Sequence, residues 1–141
     1  MTKEVQRDDR VEDCMNPHVV TVPASATLDQ AAQAMVERRV GSAVIMDGND
    51  LVGIVTERDV LRAVGRSLIP WTTPVSDCMT SKPRTIAPDA TAGAALSLML
   101  SQNFRHLPVV NDGRLLGIVS LRALAERMRE SDETEDTPAD G

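Results

Sequence analysis

Leu51-Val-Gly-Ile-Val-Thr-Glu-Arg-Asp-Val-Leu-Arg-Ala-Val64 is the stretch that decides how this chain folds. Its first five residues are apolar, rich in β-branched side chains and too few for a helix, which predicts a buried strand from Leu51 to Val55. From Thr56 the spacing changes, and Val60, Leu61 and Val64 fall on one helical face. Thr56 is placed to cap that helix, its hydroxyl accepting from a free N–H of the first turn. A strand that feeds straight into a helix leaves unpaired N–H groups and partial positive charge at its own end. An anion is welcome there.

The same stretch recurs sixty-four residues later as Leu115-Leu-Gly-Ile-Val-Ser-Leu-Arg-Ala-Leu-Ala-Glu-Arg-Met128, and the two halves superpose without a gap from Val11 to Met128. Asp13, Cys14 and Met15 fall on Asp77, Cys78 and Met79, while Gly53, Ile54, Val55 and Arg58 fall on Gly117, Ile118, Val119 and Arg122. The chain is an internal duplication.

Each copy reads as strand, helix, strand, strand, helix. In the first, Val19 to Val22 is extended, and Thr27-Leu-Asp-Gln30 is a capping box. Leu28, Ala31, Ala32, Met35 and Val36 form the face of the helix that follows, with Gly41 as its stop. Ala43 to Met46, the turn Asp47-Gly-Asn-Asp50 and Leu51 to Val55 make a hairpin. The second copy repeats the plan with Thr85-Ile86 as its first strand. Its helix stripe is Ala92, Ala95, Leu96, Met99 and Leu100, its hairpin Leu107 to Val119, and its second N-cap Ser120. Leu121, Leu124, Ala125 and Met128 face the core. The organisation expected is a flexible lead (1–10), repeat 1 (11–65), a Pro-rich linker (66–74), repeat 2 (75–128) and an acidic disordered tail (129–141). Neither repeat alone can bury strands this apolar, so the two are expected to pack face to face about a pseudo-twofold axis in an α+β fold.

Apolar residues make up 42% of the 141, with one Phe, one Trp and no Tyr, so the core is aliphatic. The net charge is −6. The segment from Arg129 carries most of it, with Glu130, Asp132, Glu133, Glu135, Asp136 and Asp140 against one base. No basic stripe marks a nucleic-acid partner. No run approaches transmembrane length, and the N-terminus has no apolar secretion core, so the expected location is cytoplasmic. Cys14 and Cys78 lack a Cys-x-x-Cys spacing or flanking His, and read as duplicated packing positions, with a redox role as the alternative. Trp71 reads as a staple of the linker to the core, or as a stacking platform for a base. His18 and His106 lack the neighbours of a triad or a metal site, and no Gly-Lys-Ser/Thr loop occurs, so neither catalysis nor a metal is expected.

Gly53-Ile-Val-Thr-Glu-Arg-Asp59, Arg105-His-Leu-Pro-Val-Val110 and Gly117-Ile-Val-Ser-Leu-Arg122, set in a gapless strand-helix-strand-strand-helix tandem over residues 11–128, resemble the CBS-domain pair, a regulatory module. The resemblance implies a non-catalytic protein needing no cofactor, which binds an adenosine-containing ligand (AMP, ADP, ATP, S-adenosylmethionine or NAD) in clefts between the repeats. It also implies a homodimer acting on an unidentified regulated protein. In the family motif the Thr/Ser contacts phosphate and the Asp three residues later holds ribose hydroxyls, roles that carry over to Thr56 and Asp59. Thr21, Val22, Ser42, Ala43 and Val44 would line the adenine slot, with Thr85, Ile86, Leu107 and Pro108 in the second cleft. Arg58, Arg62, Arg105, His106, Ser120 and Arg122 are the candidates for phosphate.

The residues by themselves support two readings. A ribose diol suits the Asp59 carboxylate, which would repel a phosphate. Thr-x-x-Asp is equally a capping box, with Asp59 within reach of Arg62 three residues on. Both can hold together. In the second repeat Ser120-Leu-Arg-Ala123 has no carboxylate, so that cleft is expected to bind a nucleotide poorly. The alternative function is a structural or partner-binding dimer with no nucleotide, or a module that binds NAD or S-adenosylmethionine.

Overall fold

The computed structural model describes residues 4–136, with side chains to Met128. In chain order the elements are α1 (Val11–Cys14), β1 (Thr21–Pro23), α2 (Leu28–Arg38), β2 (Ser42–Asp47), β3 (Asp50–Thr56) and α3 (Glu57–Gly65). A short 3-10 turn (Val75–Asp77), β4 (Thr80–Ser81), α4 (Ala92–Gln102), β5 (His106–Asn111), β6 (Arg114–Ser120) and α5 (Leu121–Asp136) follow.

They fall into two compact units, whose limits differ from those of the sequence repeats. One unit runs from His18 to Arg84; the other takes the chain up to Pro17 and from Thr85 onward. In the first unit the sheet order is β1-β2-β3-β4. β1 runs parallel to β2, β2 pairs antiparallel with β3, and β4 closes the sheet with Ile54 opposite Thr80. The second unit repeats this arrangement in reduced form. Its β5–β6 hairpin is flanked by two single bridges, Ile86 to Val109 (parallel) and Asn16 to Ile118 (antiparallel). The expected strand at Thr85-Ile86 is therefore only a bridge, held by Ile86 N–H to Pro108 O at 3.0 Å and Val110 N–H to Ile86 O at 3.0 Å. Asn16 and Thr80 are equivalent positions, so the lead of each repeat pairs with the hairpin of the other one.

The hairpins show why their register is fixed. Each turns in two residues, and Gly48 (φ 62°), Asp112 (φ 52°) and Gly113 (φ 78°) supply the positive φ that a tight right-twisted hairpin requires. Each then carries a bulge at the same place, between Ile45 and Met46 and between Val109 and Val110. Beside the bulge a methionine lies across a glycine. A Cβ on Gly53 would sit against the Met79 sulfur, and one on Gly117 would lie 2.8 Å from the Asn16 carbonyl oxygen. At Gly117 only glycine lets the Asn16 backbone come this close, whereas at Gly53 the neighbour is the flexible Met79 side chain.

The first core gathers Leu28, Ala31, Met35, Ala43, Ile45 and Val55, sealed by Val75 from the lead of the second repeat. The other gathers Ala92, Ala95, Met99, Leu107, Val109 and Leu124, sealed by Val5 and Val11. Residues 4–10 are thus no loose lead. Val5 is 2% exposed, and the carbonyls of Arg7 and Asp9 accept from Gly93 N–H (2.9 Å) and Ala92 N–H (2.7 Å) at the start of α4. Those first-turn amides have no intrahelical acceptor, which is why a charged segment with one valine is held in place.

Other expectations are corrected in the same way. α5 continues to Asp136, through the first eight residues of the expected disordered tail, because extending an existing helix costs far less than starting one; residues 137–141 lie outside the described residues. Gly41 is not the stop of α2: Arg39 takes the left-handed conformation there (φ 56°), as Asn103 does after α4 (φ 60°). Val36 and Leu100, equivalent positions, are exposed, as are Leu61 and Val64 on α3, so the buried stripes are narrower than the apolar spacing predicts. Trp71 is 69% exposed and does not staple the linker. Backbone bonds do that instead, from Leu28 N–H to Thr73 O, Asp29 N–H to Pro70 O and Val75 N–H to Ala26 O. Cys14 and Cys78 are free thiols, each pushed up in pKa by burial first of all, as expected of packing positions.

Candidate functional site

The junction of β3 and α3 is built as its sequence predicts. Thr56 is the N-cap in extended conformation (φ −125°, ψ 170°), and its hydroxyl accepts from Asp59 N–H at 3.4 Å. Asp59 reciprocates: its Oδ2 accepts from Thr56 N–H at 2.9 Å and from Thr56 Oγ1 at 3.1 Å. Its Oδ1 accepts from Arg62 Nη1 at 3.4 Å. The capping box and the Arg62 pair are therefore both present. Asp59 is 8% exposed, and with Ala63 it is one of the two buried residues of α3. A carboxylate is rarely this buried unless partnered, and here one oxygen is fully committed while the other, among the described residues, rests on one long contact.

Gly41 takes a different role from the one its sequence position suggests. Glu57 N–H donates to Gly41 O at 3.1 Å, and a Cβ on Gly41 would lie 2.5 Å from the Glu57 Oε1. Glycine leaves room for the Glu57 side chain, which opens α3, to lie against residue 41. Sequence reasoning passed over this contact, although an unusual Gly-Ser before a strand was a signal. In the second unit Leu121 N–H makes the equivalent bond to Arg105 O at 2.8 Å.

Among the remaining candidates of the first unit, Ser42, Ala43, Val44 and Val22 are buried on β2 and β1, while Thr21 and Arg58 are exposed. Ala43 lies opposite Val55 and Ser42 opposite Thr56, so β2 brings these residues alongside the capped junction. In the second unit Leu107 and Pro108 are buried, His106 and Ile86 half-buried, and Thr85 and Arg105 exposed. Ser120 caps α5 by accepting from Ala123 N–H at 3.2 Å, but with Ala123 there is no carboxylate to return the bond. Arg122 is instead paired with Glu126 at 3.3 Å on an exposed face. Among the described residues no group of His, Cys, Asp and Glu is arranged to hold a metal, and no helix is long and apolar enough to cross a membrane.

The difference between the two junctions makes a direct prediction. Ala123→Asp gives Ser120 N–H the acceptor that Thr56 N–H already has, and should add about 0.5–1 kcal/mol of stability. A urea midpoint unchanged by this substitution would show that the reciprocal half of the box contributes nothing.

The family model of the CBS domain matches residues 11–66 and again 75–130, and the chain belongs to the CBS-domain family. It is 37% identical over 121 residues to an uncharacterized 17.7 kDa protein of Acidianus ambivalens, covering 84% of this chain and 73% of that protein. It is 36% identical over 104 residues to the CBS domain-containing protein CBSCBSPB1 of Arabidopsis thaliana, covering 72% of this chain but only 19% of that much longer relative. Among solved structures, a CBS domain protein of Pyrobaculum aerophilum complexed with AMP is similar at a TM-score of 0.77 and 29% identity, covering 86% of this chain and 98% of that one. CBSX2 in complex with AMP is similar at a TM-score of 0.74 and 31% identity, covering 88% and 98%. The fold is that of a tandem CBS protein.

Proposed function

We propose that this chain is a non-catalytic, cytoplasmic regulatory module that binds an adenine nucleotide at the capped junction of its first repeat. The observation that carries the reading is the buried Asp59 carboxylate, which the cap holds in place while leaving Oδ1, among the described residues, with one long contact to Arg62. A ribose diol supplies the donors such an oxygen lacks. The phosphate would lie toward Thr56 and Arg58, where the start of α3 favours negative charge. Relatives solved with AMP support the class of ligand. The second repeat, with Ala123 in place of the carboxylate, is the weaker site, and binding would change how a homodimer meets the protein it regulates.

A second reading, a dimeric or partner-binding module with no nucleotide, is favoured by the exposed apolar side chains Leu61, Val64, Leu68, Ile69 and Trp71 on α3 and the segment after it. A thermal-shift panel of AMP, ADP, ATP, NAD and S-adenosylmethionine separates the two. A ligand at a hundred times its Kd should add about 2.7 kcal/mol of stability. At least one of the five is expected to do so. No shift with any of them would leave the partner-binding reading standing.

A further inference from the structure

We propose that Arg62 is a built-in competitor for the ligand at Asp59, holding the binding oxygen until a ribose displaces it. The inference rests on the nucleotide reading above and assigns a specificity-determining role within that site. The two carboxylate oxygens of Asp59 are not equivalent. Oδ2 takes two contacts from Thr56, at 2.9 and 3.1 Å, and cannot leave them without uncapping α3. Among the described residues Oδ1 is met only by the Arg62 guanidinium, at 3.4 Å. That contact is long, and the Arg62 side chain is 52% exposed against 9% for Asp59. An exposed guanidinium at this distance contributes little and is readily exchanged.

Positioning of the carboxylate therefore falls to Thr56, and Arg62 serves as a removable cover. The device belongs to the first repeat alone, because Glu126 stands at the equivalent position in the second and pairs with Arg122 instead. Ligand and Arg62 draw on the same oxygen, so a nucleotide that offers a hydroxyl there pays for its place by releasing a positive side chain to the surface. A nucleotide without ribose hydroxyls has no donor with which to compete.

The test compares AMP with 2′,3′-dideoxy-AMP on the wild-type chain, Arg62→Met and Arg62→Gln, by titration calorimetry. Arg62→Met should bind AMP about two- to fivefold more tightly than wild type, the range set by an exposed ion pair. Arg62→Gln should show a smaller gain, since it keeps a neutral donor. The dideoxy compound should bind all three proteins equally. Unchanged AMP affinity in both variants would overturn the competitor role, and so would weaker binding of both nucleotides, which would make Arg62 a phosphate ligand. Failure of the wild type and of both variants to bind either compound would instead overturn the nucleotide reading itself, and this inference with it.

Discussion

Removing residues 1–10 should destabilise the unit built on the second repeat by about 4 kcal/mol. Burying a valine is worth about 1.5–3 kcal/mol, and Val5 is completely enclosed by that core. The two bonds from Ala92 and Gly93 N–H add about 1 kcal/mol each, because their loss returns first-turn amides of α4 to an unsatisfied state. Val5→Ala alone should cost about 1.5 kcal/mol, the value of two buried methyl groups. Urea unfolding followed by circular dichroism measures both. Trp71 fluorescence is a poor reporter, since that side chain is exposed and belongs to the other unit. Hydrogen exchange supplies the local readout, with the Ala92 and Gly93 amides expected to lose their protection on truncation. An unchanged midpoint and unchanged protection would mean that the segment is the loose lead its charge suggests.

That segment also shows where the sequence stops being legible. The caps at Thr27, Thr56 and Ser120 were readable because each depends on residues three apart in the chain. The hairpins were readable for the same reason, their turn residues and apolar runs being neighbours. The pairing of Asn16 with Ile118 and of Thr80 with Ile54 was not, although the repeat offset makes the two leads equivalent. Equivalence says that both leads do the same thing, without saying which hairpin each one meets. The helix faces were legible only in part. Leu28, Ala31 and Met35 are buried as their spacing predicts, but Val36, one position on, turns outward, since periodicity locates a stripe without giving its width. The contacts that join Thr56, Asp59 and Arg62 follow from their spacing. What spacing could not provide was the division of labour between the two carboxylate oxygens.

Asp59→Asn should weaken nucleotide binding by about ten- to a hundredfold. Asparagine can keep the local cap, its amide oxygen accepting from Thr56 N–H as the carboxylate does, so the fold of α3 is preserved. The charge is lost, and a hydrogen bond to a charged acceptor is worth about 1.5–3 kcal/mol. The stability of the ligand-free protein should change by no more than about 1 kcal/mol, the cost of weakening one cap and one exposed ion pair. Asp59→Ala, by contrast, removes cap and ligand together and confounds the two.

The decisive measurement is a calorimetric titration of AMP into the wild-type chain and into Asp59→Asn, with the unliganded melting of both recorded alongside. A buried side chain poised to receive a sugar predicts tight binding by the first and at least a tenfold loss in the second, at nearly equal melting temperatures. Equal affinity in the two proteins would mean that Asp59 is a helix cap and nothing more.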